Sequence, residues 1–264
     1  MSKMFKLAGT LLAGLVLVLS LAQAPTARAE EPVTSDLPPD IKAMKLDPQD
    51  PNNRVTTVEF EGITATLVVS PDGKTHRVFT SGGILDEYVG IRVRVRFDEN
   101  GPYIAKVCGI TPEMVDEILA PLPPGYTCEG YPYNGGPSIM GENTGFSTYS
   151  HYSEGGLETR AGVYQDYSWD GEDVTEVGDP VPLTAWTSDW RRLDVDTYEY
   201  GSALPAPWHA AVGSASYERL LDGEYWHSLA AEVKEFGDGD VEGDWSMSGE
   251  IPSGDWLDGD CWKT

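Results

Sequence analysis

A mainly β fold, built as antiparallel sandwich or barrel-like sheets with one short disulfide-bracketed helix, is what this chain of 264 residues predicts. Three observations carry the prediction. In 91–97, Ile91, Val93, Val95 and Phe97 alternate with Arg92, Arg94 and Arg96, the period of two of a strand buried on one face. From residue 146 onward, short runs rich in Tyr, Trp, Val and Thr alternate with turn clusters at sandwich-like spacing. Only one segment, after Thr111, has a clear helical pattern, and Cys108 and Cys128 flank it.

The chain opens as an export signal. Lys3 and Lys6 precede an apolar run from Leu7 to Leu21, and Ala27-Arg28-Ala29 supplies a small-x-small cleavage pattern. This predicts a signal peptide over 1–29, a mature chain from Glu30 and a secreted or extracellular location. Ala22-Gln23-Ala24 is a second match to the pattern, and an uncleaved anchor is the competing reading of the apolar run. No later segment is apolar enough to span a membrane.

Residues 30–54 read as a Pro/acid-rich linker, with Pro32, Pro38, Pro39, Pro48 and Pro51 among acids. A small β domain with a short helix is expected over 55–128. Strands near 55–60, 63–69 and 75–80 are separated by Gly62 and by the Ser70-Pro71-Asp72-Gly73 turn. The arginine-bearing strand turns at Asn100-Gly101 and returns towards Cys108. Thr111 is placed to cap a helix with Pro112 at its first position, and Pro121, Pro123 and Pro124 stop it. A Gly/Tyr/Pro linker is expected over 129–145, then an acidic, aromatic-rich β domain over 146–264. Its strands fall near 146–152, 158–167, 183–190, 194–200, 209–219, 225–236 and 241–248, with a short tail strand.

In an exported chain the Cys108–Cys128 pair is the expected disulfide, worth about 3 kcal/mol in the chain-entropy model. Cys128–Cys261 and Cys108–Cys261 are the alternatives.

Charge excludes some partners. The chain has 43 acidic and 18 basic residues, a net charge of −25, which repels nucleic acid and anionic lipid. The leader holds only bases (Lys3, Lys6, Arg28), so the mature chain is more acidic still. Carbohydrate or a cationic protein partner remains.

Four features are candidates for chemistry. The Arg92/Arg94/Arg96 face either pairs with Glu59 and Glu61 on a neighbouring strand or binds an anion. The loop Asp238, Asp240, Glu242, Asp244 resembles the first half of a calcium loop, but position twelve is Gly249, so an exposed turn is the ordinary alternative. No cofactor motif is present; calcium there is the one metal the pattern suggests. Trp245, Trp256 and Trp262, set among Gly and polar residues, are the candidate ligand-stacking surface. The catalytic motifs are missing: no Gly-x-Ser-x-Gly, no His-Glu-x-x-His, and the histidines His76, His151, His209 and His227 are scattered. The expectation is therefore a soluble exported binding or interaction protein without catalysis. A secreted hydrolase using a carboxylate pair, or a secreted toxin or inhibitor, are the rival readings.

Overall fold

A computed structural model describes residues 44–84, 87–120, 122, 124–129, 141–221 and 225–264. The expected leader over 1–29 with its cleavage pattern, most of the expected 30–54 linker, residues 130–140 and residues 222–224 lie outside the described residues. Among the described residues, no helix is long and apolar enough to cross a membrane.

Among the described residues, sixteen strands and one helix follow in order. They are β1 (Arg54–Phe60), β2 (Ile63–Val69), β3 (Thr75–Ser81), β4 (Gly90–Asp98), β5 (Gly101–Ile110), α1 (Pro112–Leu119), β6 (Tyr126–Glu129), β7 (Glu142–Ser153), β8 (Gly156–Trp169), β9 (Val174–Val177), β10 (Val181–Pro182), β11 (Thr184–Thr187), β12 (Trp190–Gly201), β13 (Trp208–Arg219), β14 (Trp226–Phe236), β15 (Val241–Gly249) and β16 (Trp256–Lys263). All pairings are antiparallel. Sheet A runs β1-β2-β3-β15-β14-β13-β12, and sheet B runs β5-β4-β16-β7-β8-β11-β6, with β9 and β10 also on β8. The fold is the β-sandwich the alternation predicted. Its edges approach one another: β1 and β2 lie against β5, and β12 against β10 and β11.

The regions expected as separate domains, 55–128 and 146–264, are woven together. β3 pairs with β15 and β4 with β16, so each half supplies strands to both sheets, and Pro38–Thr264 forms one compact unit. The change in acidity and tryptophan content along the chain marks no boundary, because composition carries no information about which distant strands pair.

The core lies between the sheets. Ile63, Ala65, Leu67 and Val78 from sheet A meet Val93, Val95, Tyr149, Ala161 and Val163 from sheet B. Trp245 lies among them, fully buried, over two glycines that make room for its indole. A Cβ on Gly259 would come within 2.5 Å of that ring, and one on Gly243 within 2.4 Å. Histidines also point inward. His76 Nε2 shares a hydrogen bond with the Tyr149 hydroxyl at 2.6 Å, and His227 Nε2 with the Thr159 hydroxyl at 2.8 Å. Burial drives both below the ordinary value of 6.5, His76 to about 3, and His151 adds to the effect on His227.

The outer faces are covered differently. On sheet A, Met44 packs on Val212 and Ala230. Beside it Arg77 Nε donates to Asp244 Oδ2 at 2.9 Å, and Tyr200 donates to Glu232 at 2.5 Å. On sheet B, Val115 and Ile118 of α1 pack on Phe146, Leu183 and Trp262.

The cysteines are free. The sheet order explains why Cys108–Cys128 does not bracket the helix as expected. Cys108 is on β5 and Cys128 on β6, the opposite edges of sheet B. Six strand spacings separate them, roughly 29 Å along a flat sheet, where a disulfide needs Cα atoms within about 7 Å. The helix is a strap laid across the sheet between its edge strands. Cys261 is in the core on the inner face of β16, away from both.

Candidate functional site: the outer face of the nine-stranded sheet

The arginines of β4 do pair across the sheet, but not with Glu59 and Glu61, which belong to sheet A and its first turn and are exposed. The partner strand is β16, whose register sets Arg92 opposite Asp260, Arg94 opposite Asp258 and Arg96 opposite Trp256. Arg92 binds Asp260 through two bonds of 2.5 and 3.0 Å, and Arg94 binds Asp258 through two of 2.7 Å. Burial pushes the Asp260 carboxyl up while Arg92 pulls it back; the two-bond geometry favours the ionised pair.

The register continues the rows on both sides. β5 places Tyr103 beside Arg96 and Lys106 beside Arg94, and β7 places Tyr152 beside Trp256 and Ser150 beside Asp258. Arg160 of β8 follows. Buried, it donates to Ser150 Oγ at 2.8 Å, to the Ile118 carbonyl of α1 at 3.2 Å and to the Tyr152 hydroxyl at 3.3 Å. Within these rows five cations (Arg92, Arg94, Arg96, Lys106, Arg160) meet two acids (Asp258, Asp260). The acids of α1, Glu113, Asp116 and Glu117, lie on its exposed side. Among the described residues no acid pairs with Arg96 or Lys106, both of which are exposed; Arg96 lies over the Trp256 ring at 5.5 Å. Trp256 stacks on Tyr152 with centroids 5.7 Å apart, and Tyr103 beside them is 41 % exposed. Under the helix, Thr148 Oγ1 and Trp262 Nε1 are buried with no hydrogen-bond partner, as is Trp256 Nε1 near the rim. The result is a cationic, aromatic shelf leading to a polar floor, on a chain whose overall charge is strongly negative. It can hold an anion between the Arg96 guanidinium and the Lys106 ammonium and bury a flat ligand against aromatic edges.

Of the three tryptophans singled out by their polar neighbours, only Trp256 reaches this face at a solvent-facing position. Trp245 is in the core, and Trp262 is stacked on Phe146 at 4.9 Å beneath α1. Their polar neighbours point to the opposite side of each strand, so those neighbours signal alternation and not exposure. The four carboxylates of the 238–244 loop are not brought together. Asp238 accepts from the Asp240 amide within its own turn, Asp240 pairs with Lys263 at 2.7 Å, Glu242 accepts from the Gly82 amide at 3.2 Å, and Asp244 pairs with Arg77. Among the described residues no three acidic, histidine or cysteine side chains converge as metal ligands.

Sequence reasoning missed a second cluster of polar groups, inside the sandwich: Glu235, His209, Gln165 and Glu199. Its signal was available, since Leu229, Ala231 and Val233 alternate inward on β14 and Glu235 is next in that series. The chain matches no protein-family model, no curated protein and no solved structure, so functional argument rests on this geometry.

Proposed function

We propose that this is an exported, non-catalytic binding protein that takes an acidic carbohydrate on the shelf formed by Arg94, Arg96, Lys106, Tyr103, Tyr152 and Trp256. The observation that carries the reading is the local reversal of charge: unpaired Arg96 and Lys106 beside half-buried aromatics, on a chain of net charge −25. Guanidinium and ammonium groups select carboxylate or sulfate substituents, while aromatic rings accept the apolar faces of sugar rings. The acidic remainder of the surface repels anions elsewhere, which favours one docking face.

A screen of the mature protein against uronate-bearing, sulfated and neutral oligosaccharides, with and without calcium, tests this. Acidic glycans bind, neutral ones do not, and binding weakens with salt. Equal binding by an Arg96→Ala/Lys106→Ala double variant, or no binding to any acidic glycan, overturns the reading. Shortening of the oligosaccharides during incubation would favour a hydrolase with a carboxylate pair instead.

A further inference from the structure

The interior cluster missed in the sequence contains unpartnered polar atoms, which native interiors seldom leave without a partner. Glu235 on β14 lies directly opposite His209 on β13, both on inner-face positions. Glu235 Oε1 lies over Gly145 of β7, 2.7 Å from where a Cβ would stand, and Gly145 is opposite Gln165 of β8. Gln165 Nε2 donates to Glu199 Oε2 at 2.9 Å, and that same oxygen is 3.4 Å from His209 Nε2. The four side chains therefore close a circuit around one end of the sandwich interior. Both carboxyl oxygens of Glu235, Oε1 of Gln165 and Nδ1 of His209 are buried without a hydrogen-bond partner, and His209 Nε2 has only the 3.4 Å approach of Glu199. Glu199, on edge strand β12, is about half exposed and connects the circuit to solvent.

The chemistry of these atoms is lopsided. Gln165 Nε2 is fixed outward by two acceptors, the Gly178 carbonyl at 2.6 Å and Glu199, so its Oε1 is an inward acceptor. The Glu235 oxygens are acceptors when ionised, and a neutral His209 supplies one acceptor and one donor. With Glu235 ionised, four acceptors stand against one donor, which calls for a group that only donates. We propose that this end of the sandwich is a binding site for a primary ammonium group, entering past Glu199 and seated against Glu235 and Gln165. Three N–H donors on a compact positive charge match the acceptors presented, and a planar guanidinium does not fit so small a circuit as well. Burial, with the charges of Asp166 and Glu199 adding, pushes the Glu235 carboxyl well above its usual range, so it favours its protonated form while the end is empty, and a seated ammonium displaces that proton to solvent. A free amine and a lysine side chain of a protein share this chemistry.

The test is calorimetric titration and thermal melting of the mature protein with n-butylammonium, and with N-acetyl-lysine-N-methylamide as the lysine arm. Tetramethylammonium, which has no N–H, and sodium, potassium and calcium are the controls. The expected result is saturable binding and a raised melting temperature with the primary amines alone. Glu235→Gln should weaken that binding roughly tenfold or more, the loss of a charged hydrogen-bond acceptor. Glu199→Gln, at a half-exposed position where folding is preserved, should weaken it several-fold and decides the matter if Glu235→Gln does not fold. Tighter binding of the free amine than of the lysine arm names a small metabolite-like amine; the reverse names a protein lysine. No primary amine effect, or an equal effect from tetramethylammonium or an inorganic cation, overturns the proposal and leaves bound water as the occupant. So does binding unchanged in the Glu199→Gln variant.

Discussion

The outer faces of the two sheets use the same device to opposite electrostatic ends. On sheet A a single guanidinium, Arg77, serves Asp244, with the Glu232 charge also acting on it, and the chain around Met44 covers the group. On sheet B two arginines each have their own aspartate, and further cations stand beyond them. Sheet A's face holds its Arg77–Asp244 pair under the chain that follows Met44; sheet B's face keeps further cations at an open rim. A buried pair is weak evidence for stability or for function by itself. What distinguishes a scaffold face from a candidate binding face here is the residue of unpaired charge and its exposure.

The sharpest way to break this comparison is to remove one acid from each face. Asp260→Ala leaves Arg92 largely buried without its carboxylate, and chemical denaturation should show a loss of about 3–5 kcal/mol. Asp244→Ala leaves Arg77 within the field of Glu232, whereas the acid left near Arg92, Asp258, already serves Arg94, so the Asp244 loss should be clearly smaller. Equal losses would mean that the two faces are built alike.

The interior, common to both faces, gives the next effect through pH. His76 and His227 are held neutral when folded, so each contributes stability above the unfolded value of 6.5, lost as pH falls below it. The slope is about 1.4 kcal/mol per pH unit for each, continuing to about 3 for His76. Glu235 has the opposite sign. Its raised folded value stabilises the protonated form below its unfolded value of 4.5, and that contribution is lost as pH rises. Between 4.5 and 6.5 it therefore offsets part of the histidine loss. Glu235→Gln should make the acid-side decline steeper than in the wild type by up to about 1.4 kcal/mol per pH unit, read from denaturation midpoints across that range. Parallel pH profiles would show that Glu235 is ionised in the folded protein.

A smaller effect comes from the strand that joins the two comparisons, because β16 faces the core on one side and the cationic shelf on the other. Gly259→Ala drives a methyl group into the Trp245 ring and should cost about 1–3 kcal/mol without altering the charge of the shelf. Retention of wild-type stability would mean that the indole has room to shift. The smallest change in stability belongs to the rim. Arg96→Ala and Lys106→Ala should each move unfolding by no more than about 0.5 kcal/mol, while removing binding of acidic glycans. A large loss of stability there would recast the rim as scaffold.

Much of the architecture was legible in the residues. The alternation in 91–97, the turn at Asn100-Gly101 and the Thr111-Pro112 helix start are local signals, and each lies where it was read. Gly101 has the positive φ, 96°, that its turn requires. Pairing was not legible. Arg92 and Asp260 are 168 residues apart, and no local pattern tells an arginine which acid it will meet. The tail was legible as a short strand, but not as an interior one. Gly259 faces the Trp245 indole, a reason visible only once β15 packs across the core from β16. For the candidate site, Trp256 and the arginine face were both named from the sequence, but as two unrelated features; the register of β4 with β16 is what makes them one.

That register also has a temporal side. β16, the last strand in sequence, is an interior strand of sheet B, bonded to β4 on one side and β7 on the other. β15 likewise joins β3 to β14. Until both are in place, β3, β4, β7 and β14 present unpaired edges, and neither sheet has its centre. Contacts of such long sequence separation slow folding and prolong the exposure of sticky edges. The strand that completes the shelf thus acts as its quality control, since a chain cut short before residue 254 lacks β16 and with it the seam that holds sheet B together.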